Sequence, residues 1–205
     1  MDERLSLFRI EPALFRFDVA YRPGQPQTLI DWQKETGALL VMNGGYFTEA
    51  YQATGLVVTD GVASGSSYGD FAGMFAVTPA GPELRWLREQ PYEPAEPLVA
   101  ALQSFPLLVR PGGVLGFPEE DGQTARRTVI GRDGSGRFLF LVADLGYFSL
   151  HELAKFLLAS DLDLDVALNL DGGLSSGLVL AEPEMSVFPV AYVPVVITVF
   201  PAQEP

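Results

Sequence analysis

Two short segments of the sequence place a polar side chain directly before a pair of glycines. One covers residues 43–45 and reads Asn-Gly-Gly, and the other covers residues 171–173 and reads Asp-Gly-Gly. Paired glycines let a ligand approach the backbone closely and allow positive φ angles. Successive N–H groups can then form a concave site for an anionic oxygen. For either loop taken alone, the alternative is a tight turn that binds no ligand.

One arginine and a second aspartate extend this set. Arg127 precedes a short apolar run at residues 129–131, and a guanidinium carried into a strand presents a planar fork of donors to a phosphate or carboxylate. The alternative is a solvated surface pair with Arg126. Asp144 follows the apolar run 138–143. It either acts on a substrate or lies in an ordinary turn.

Other side chains offer little further chemistry. The sequence has no cysteine and a single histidine, His151, which excludes thiolate catalysis, thiolate-bound zinc and a multi-histidine metal site. The aspartates show no calcium-loop spacing, so we expect no metal and no cofactor. Ser175 and Ser176 are expected to bind a substrate rather than to act as nucleophiles, because no Gly-x-Ser-x-Gly elbow surrounds them.

Composition limits the partners of the chain. Its 205 residues include 26 acidic and 13 basic side chains, for a net charge of −13, which argues against binding to nucleic acid or to an anionic membrane. A few arginines focused in a cleft could still bind one phosphate. No apolar stretch approaches the roughly 18 residues of a spanning helix, and residues 1–5 lack the apolar core of a signal peptide.

The elements that must position these residues are mostly short strands, because 21 glycines and 16 prolines supply many turn signals. Apolar runs at residues 38–42 and 166–170 predict strands that lead into the two glycine loops, and residues 193–200 predict a last strand. Strand pairs are predicted on either side of four turns, at residues 11–13, 60–61, 79–82 and 133–136.

Two helices are predicted. Residues 27–36 fit a short helix that Gly37 ends. Residues 149–159 fit a second helix, because Ser149 and Glu152 have the spacing of a capping box and apolar residues recur at helical spacing. We therefore expect a single α+β domain over residues 1–205, with short helices packed on a β-rich mixed sheet.

Read in order, five segments resemble those of the phosphodiester glycosidase family: residues 41–47, 55–61, 127–131, 149–154 and 167–176. The first resembles the family's Asn-Gly-Gly-aromatic-Phe signature and the last its Asn-Leu-Asp-Gly-Gly-x-Ser segment. The resemblance extends over roughly residues 38–200. Phe105 stands where the family often has a glycine before proline, and Leu174 stands where a small residue is common.

The resemblance implies a hydrolase that cleaves a glycosidic bond to phosphate in a sugar-1-phosphodiester or related glycoconjugate. Arg127 and the loop amides would hold the phosphodiester, Asp171 would be the general acid or base, and Asp144 is the second candidate. The expected substrate-binding residues are Asn43, Gly44, Gly45, Tyr46, Asn169, Gly172, Gly173, Ser175 and Ser176. This requires both glycine loops and Arg127 to converge on one hollow.

A non-catalytic carbohydrate-binding or cell-wall-binding domain on the same fold is the alternative. Such a domain would use exposed aromatic side chains, for which Trp32, Trp86, Tyr92 and Tyr147 are the candidates. We expect an extracytoplasmic or secreted protein of the bacterial exported type. A cytoplasmic protein is the alternative, since no signal peptide is visible in the sequence.

Overall fold

The computed structural model describes residues 3–202. Within them, the helices are α1 (Leu29–Thr36) and α2 (Leu150–Ala159), with short 3-10 turns at Pro12–Leu14 and Gly173–Ser175. The strands, in chain order, are β1 (Leu5–Ile10), β2 (Phe15–Tyr21), β3 (Leu40–Asn43), β4 (Val57–Thr59), β5 (Val62–Ser64), β6 (Gly73–Thr78), β7 (Gly81–Trp86), β8 (Ala100–Ser104), β9 (Leu107–Arg110), β10 (Val114–Leu115), β11 (Ala125–Asp133), β12 (Phe138–Phe148), β13 (Leu164–Asn169), β14 (Leu178–Leu180), β15 (Met185–Val187) and β16 (Val195–Pro201).

The strands form three sheets. Sheet 1 has the order β1-β12-β11-β13-β9-β10, sheet 2 the order β15-β14-β3-β16-β2, and sheet 3 the order β5-β4-β8-β6-β7. Every strand pair in them is antiparallel. The expected β-rich character and short helices are confirmed, and the expected mixed sheet is wrong.

The reason lies in where two strands are inserted. Helix α1 connects β2 to β3 and helix α2 connects β12 to β13, which are connections of the kind that usually place two parallel strands side by side. Here β16 lies between β2 and β3, and β11 lies between β12 and β13. Each inserted strand is antiparallel to both of its neighbours, so no parallel pair forms.

Most local predictions are confirmed, with one exception. Helix α2 carries the expected capping box, in which the Ser149 hydroxyl accepts from the Glu152 amide at 3.1 Å and the Glu152 carboxylate accepts from the Ser149 amide at 3.0 Å. Gly37 ends helix α1 with φ +69°. The predicted pairing of β1 with β2 is wrong, because β1 pairs with β12 and β2 pairs with β16. The turn between them passes the chain from sheet 1 to sheet 2.

The three sheets meet at the buried ring of Phe17 in β2. Its centroid lies 5.3 Å from that of Phe138 and 6.2 Å from that of Phe140, both in sheet 1. It also lies 6.2 Å from the ring of Phe75 in sheet 3. One aromatic cluster therefore packs against all three sheets.

Strand β3 of sheet 2 ends at Asn43, and strand β13 of sheet 1 ends at Asn169. The two glycine loops follow these ends directly, so they leave different sheets. Among residues 3–202, neither helix has the length and apolar character needed to cross a membrane.

Candidate functional site

The two glycine loops are bonded to each other. The Asp171 amide donates to the Gly44 carbonyl at 3.0 Å, and the Asn43 side-chain amide donates to the Asp171 carbonyl at 2.8 Å. Segments that lie 128 residues apart in the sequence are thus fastened side by side. The structure brings together the two loops that the sequence analysis singled out.

Asn43 is the joint of this arrangement. Its side chain is fully buried, and its Oδ1 accepts from the Thr128 hydroxyl at 2.9 Å and from the Gly177 amide at 3.0 Å. Both ends of the side-chain amide are therefore used within the protein. We expected Asn43 to contact a substrate. Its burial and bonding instead assign it to holding β3, β11 and the Asp171 loop together.

The glycines of the two loops mainly allow neighbouring backbone atoms to approach closely. Of the two pairs, only Gly173 has a positive φ, of +60°. A Cβ on Gly45 would lie 2.6 Å from the Gln103 carbonyl oxygen, and one on Gly172 would lie 2.9 Å from that of Arg126. Gly44 donates its amide to the Val195 carbonyl at 2.9 Å, so this N–H is not available to an anion. Within residues 3–202, the Gly45 amide has no such acceptor.

Asp171 presents a largely buried carboxyl group. Burial raises its pKa above the ordinary value, because removal from water disfavours the charged form. The neighbouring Ser175 hydroxyl and Gly172 amide favour the charged form and only partly offset the effect of burial on this pKa. The group consequently keeps its proton to a higher pH than an aspartate in water, as suits a carboxyl that exchanges protons with a substrate.

Tyr46 lies within electrostatic range of both Asp171 and Arg127. Burial, reinforced by the negative charge of Asp171, raises the pKa of Tyr46 to about 12, although Arg127 lowers it. The phenol accepts a hydrogen bond from the Asn169 side-chain amide at 2.7 Å. Because the phenol oxygen is the acceptor there, its own proton remains available to another oxygen.

Asn169 contributes a free acceptor. Its side-chain nitrogen donates both to Tyr46 and, at 3.1 Å, to the Phe105 carbonyl. The side chain is buried, and its Oδ1 has no hydrogen-bond partner among the described residues. Buried polar atoms are seldom left unpaired. The atom is therefore a candidate acceptor for a ligand hydroxyl.

Arg127 adjoins the Asp171 loop. Its Nε donates to the Phe148 carbonyl at 3.2 Å and its Nη2 to the Gln123 carbonyl at 2.5 Å, which fixes the guanidinium plane. Burial lowers the pKa of Arg127, whereas Tyr46 and Asp121 act to raise it. The remaining nitrogen, Nη1, lies 3.9 Å from the point where a side chain at Gly172 would begin. This nitrogen of the guanidinium is therefore free to donate beside the Asp171 loop.

Three other predicted residues lie in different surroundings. The Asp144 carboxylate accepts from the guanidinium of Arg4, and within residues 3–202 its side chain has no hydrogen bond to Asp171, Tyr46 or Arg127. Ser176 is fully buried, and within the described part of the chain its hydroxyl has no hydrogen-bond partner. Trp32, considered as a stacking surface, is buried in the core, where its Nε1 donates to the Val193 carbonyl.

The sequence analysis missed an aromatic cluster beside the site. The rings of Tyr46, Tyr68, Phe71 and Phe105 contact one another with centroid separations of 4.7 to 5.7 Å. Tyr68 and Phe71 are three residues apart in a segment without regular structure, which is the only signal that the sequence offers. No group of three His, Cys, Asp or Glu side chains within residues 3–202 is arranged to hold a metal ion.

Comparison with known proteins gives one sequence match and several structural ones. The model of a family described as phosphodiester glycosidase matches residues 36–200. No curated protein matches the chain in sequence. Among solved structures, the zebrafish N-acetylglucosamine-1-phosphodiester alpha-N-acetylglucosaminidase catalytic domain, auto-inhibited by its pro-peptide, is 18% identical, with a TM-score of 0.75. The match covers 98% of this chain and 83% of that one.

Two further structures share the fold. A hypothetical protein from Synechocystis is 18% identical with a TM-score of 0.63, over 98% of this chain and 59% of that chain. A Burkholderia pseudomallei protein, whose name assigns it to the exported proteins, is 12% identical with a TM-score of 0.70, over 96% of this chain and 74% of that chain. At these identities, the likeness shows the architecture alone.

Replacement of Asn43 by alanine tests whether this side chain is the joint of the site. The substitution leaves the Thr128 hydroxyl, the Gly177 amide and the Asp171 carbonyl without their partner. We expect the free energy of unfolding to fall by about 3 kcal/mol, since each buried unpaired group costs roughly 1–3 kcal/mol. Thr128→Val, which removes one of these bonds, should cost about 1 kcal/mol. Urea unfolding measures both values. An Asn43→Ala protein as stable as wild type would show that this side chain does not hold the site together.

The raised pKa of Asp171 predicts a pH-dependent difference in stability. Just above pH 3.8, the ordinary pKa of an aspartate, the folded wild-type protein binds more protons than the unfolded protein does. Its stability therefore falls as the pH rises through the pKa of the folded protein. Asp171→Asn lacks this titration. The melting temperature of the variant minus that of wild type should therefore increase with pH across this window and then level off. A difference that stays constant, or decreases with pH, would contradict the assignment.

Proposed function

Because the chain belongs to the phosphodiester glycosidase family, we propose that it is a hydrolase that cleaves the glycosidic bond to phosphate in a sugar-1-phosphodiester. The family match supports the reaction class. The observation that supports the proposal is the joining of the two glycine loops, together with the electrostatic influence that the part-buried Asp171 and Arg127 both exert on the Tyr46 phenol.

Arg127 binds the phosphodiester in this proposal. Its Nε and Nη2 are held by the carbonyls of Phe148 and Gln123, so the free Nη1 is aimed before a substrate arrives. The Gly45 amide is the second candidate donor to the anion. A cation and an amide held in fixed positions stabilise charge as it develops on the departing phosphate. This electrostatic contribution matters most, because the leaving group is itself a stable anion.

Asp171 exchanges the proton. In the hydrolytic step, a water oxygen bonds to the anomeric carbon, the bond from that carbon to the phosphate oxygen breaks, and the electron pair leaves with the phosphate monoester. The ionised carboxylate accepts the proton that water gives up. A protonated Asp171 could instead donate to the leaving oxygen, and its raised pKa is compatible with both roles.

The sugar hydroxyls are bound by groups that have bonding capacity to spare. The Tyr46 phenol keeps a free proton, the Asn169 Oδ1 is a free acceptor, and Ser175 lies beside Asp171. The name of the zebrafish enzyme makes N-acetylglucosamine-1-phosphodiesters the first compounds to test. We further propose that the protein is exported, as the name of the Burkholderia relative states for that protein.

Asp171→Asn and Asp144→Asn form a matched pair of variants that tests the acid or base. We expect Asp171→Asn to lower kcat on a sugar-1-phosphodiester by about a thousandfold, within the range for loss of a general acid or base. Asp144→Asn should keep wild-type kcat, because Arg4 already binds that carboxylate. Release of the free sugar, measured at constant enzyme concentration, gives both values. The reverse ranking would transfer the role to Asp144.

Arg127→Ala and Arg126→Ala test the phosphate contact. The two arginines are adjacent, but the Nη2 of Arg126 donates to the Phe188 carbonyl at 3.0 Å. We expect kcat/KM to fall by about a hundredfold in Arg127→Ala, as for loss of one charge-stabilising donor, and to change little in Arg126→Ala. Equal losses of kcat/KM in the two variants would mean that Arg127 does not bind the phosphate specifically. If wild-type protein binds the diesters without turnover, it is the carbohydrate-binding domain instead.

A further inference from the structure

The guanidinium of Arg127 is held by a backbone carbonyl that follows an irregularity in strand β12. Its Nε donates to the Phe148 carbonyl at 3.2 Å. In the ladder between β11 and β12, Arg127 pairs with Ala143, whereas Ala125 pairs with Phe148. Residues 144–147 of β12 therefore lie opposite one residue of β11, and we call them the bulge. Such an irregularity bends its strand and leaves backbone groups outside the ladder.

Two backbone amides of the bulge are bound by one carboxylate, that of Glu3. Its Oε1 accepts from the Leu145 amide at 2.8 Å, and its Oε2 accepts from the Tyr147 amide at 2.7 Å. Hydrogen bonds to a charged acceptor are roughly twice as strong as those between neutral groups. Tyr147 immediately precedes Phe148, so the second bond is made one residue before the carbonyl that Arg127 uses.

Packing supports this end of the bulge only in part. A cavity of about 460 Å³ is lined by Glu3, Thr124, Tyr147, Phe148 and Glu152. Leu145 and Tyr147 are themselves 48% and 45% exposed. The bulge therefore borders open space rather than the core, and its shape depends on hydrogen bonds more than on burial.

The beginning of the bulge has a different support. There the guanidinium of Arg4 pairs with the carboxylate of Asp144, and the Arg4 carbonyl accepts from the Asp144 amide at 3.3 Å. The Arg4 side chain is 70% exposed, and an ion pair with so exposed a partner contributes little. Arg4 is thus a neighbour of Glu3 that binds the bulge at the end farther from Phe148.

We propose that Glu3 is a positioning residue for Arg127. Its carboxylate fixes the bulge, the bulge fixes the Phe148 carbonyl, and that carbonyl orients the guanidinium. The inference rests on the proposed function, in which Arg127 binds the phosphodiester. Glu3 acts through Arg127 and has no contact of its own with the substrate. Since a displacement of about 1 Å in a binding group can lower the rate substantially, loss of this carboxylate should reduce phosphate binding.

A double-mutant cycle between Glu3 and Arg127 tests this series of contacts. We expect Glu3→Ala to lower kcat/KM for a sugar-1-phosphodiester about tenfold, a usual size for coupling within one hydrogen-bonded network. In the Arg127→Ala background, the same change should cause no further loss, because the group that Glu3 positions is already absent. A role in stability alone would not produce this difference between the two backgrounds.

Two further variants complete the experiment. Glu3→Gln keeps one acceptor oxygen and should lower kcat/KM less than Glu3→Ala does. Arg4→Ala is the matched control, and it should keep the wild-type kcat/KM. Thermal unfolding shows whether each variant is folded. If the Glu3→Ala protein does not fold, Glu3→Gln takes its place in the cycle, with the same expectation of no further loss without Arg127.

Each contrary result identifies its own cause. If the Glu3 change lowers kcat/KM by the same factor with and without Arg127, or has no effect, Glu3 does not position Arg127, although hydrolysis itself stands. If Arg4→Ala causes an equal loss, attachment of this segment as a whole matters, and the specific role of Glu3 is wrong. If wild-type protein releases no sugar from the diester, the proposed function fails, and this inference fails with it.

Discussion

The site depends on one buried side chain, that of Asn43, which joins segments from two sheets. Its side-chain amide both accepts and donates hydrogen bonds. The oxygen accepts from Thr128 and Gly177, and the nitrogen donates to the backbone carbonyl of Asp171. An aspartate could not supply the donor and a leucine could supply neither. Once this joint is made, the glycine loops have little freedom, and the absence of Cβ atoms lets them pack against neighbouring carbonyls. Positive φ angles contribute at Gly173 alone among these four glycines.

Burial then gives the joined loops their chemistry. Removal from water raises the pKa of both Asp171 and Tyr46 and lowers that of Arg127, so each group is shifted toward its neutral form. A phosphodiester anion would reverse this shift for Arg127 by supplying the missing negative charge. The cluster is therefore better matched to an anionic substrate than to empty solvent, even though the chain as a whole carries a net charge of −13.

Much of this could be predicted from the sequence, where the signal was local. The capping box of helix α2 and the strand ends at Asn43 and Asn169 follow from short-range patterns. The insertion of β16 and β11 between strands joined by helices depends on pairings distant in sequence, and it changed the expected mixed sheet into antiparallel ones. The structural role of Asn43 was also hidden, since the sequence does not show that Thr128 and Gly177 would use its oxygen. For Asp144, it was the partner Arg4 that could not be foreseen.

The central claim is that a phosphodiester lies across the joined loops, with its phosphate on Arg127 and its anomeric carbon beside Asp171. A crystal structure of Asp171→Asn soaked with an uncleaved sugar-1-phosphodiester tests it most directly. Our account predicts a phosphate oxygen within hydrogen-bonding distance of the Arg127 Nη1 and a sugar hydroxyl on the Asn169 Oδ1. A diester bound on another face of the molecule, with the loops unoccupied at saturating concentration, would contradict it.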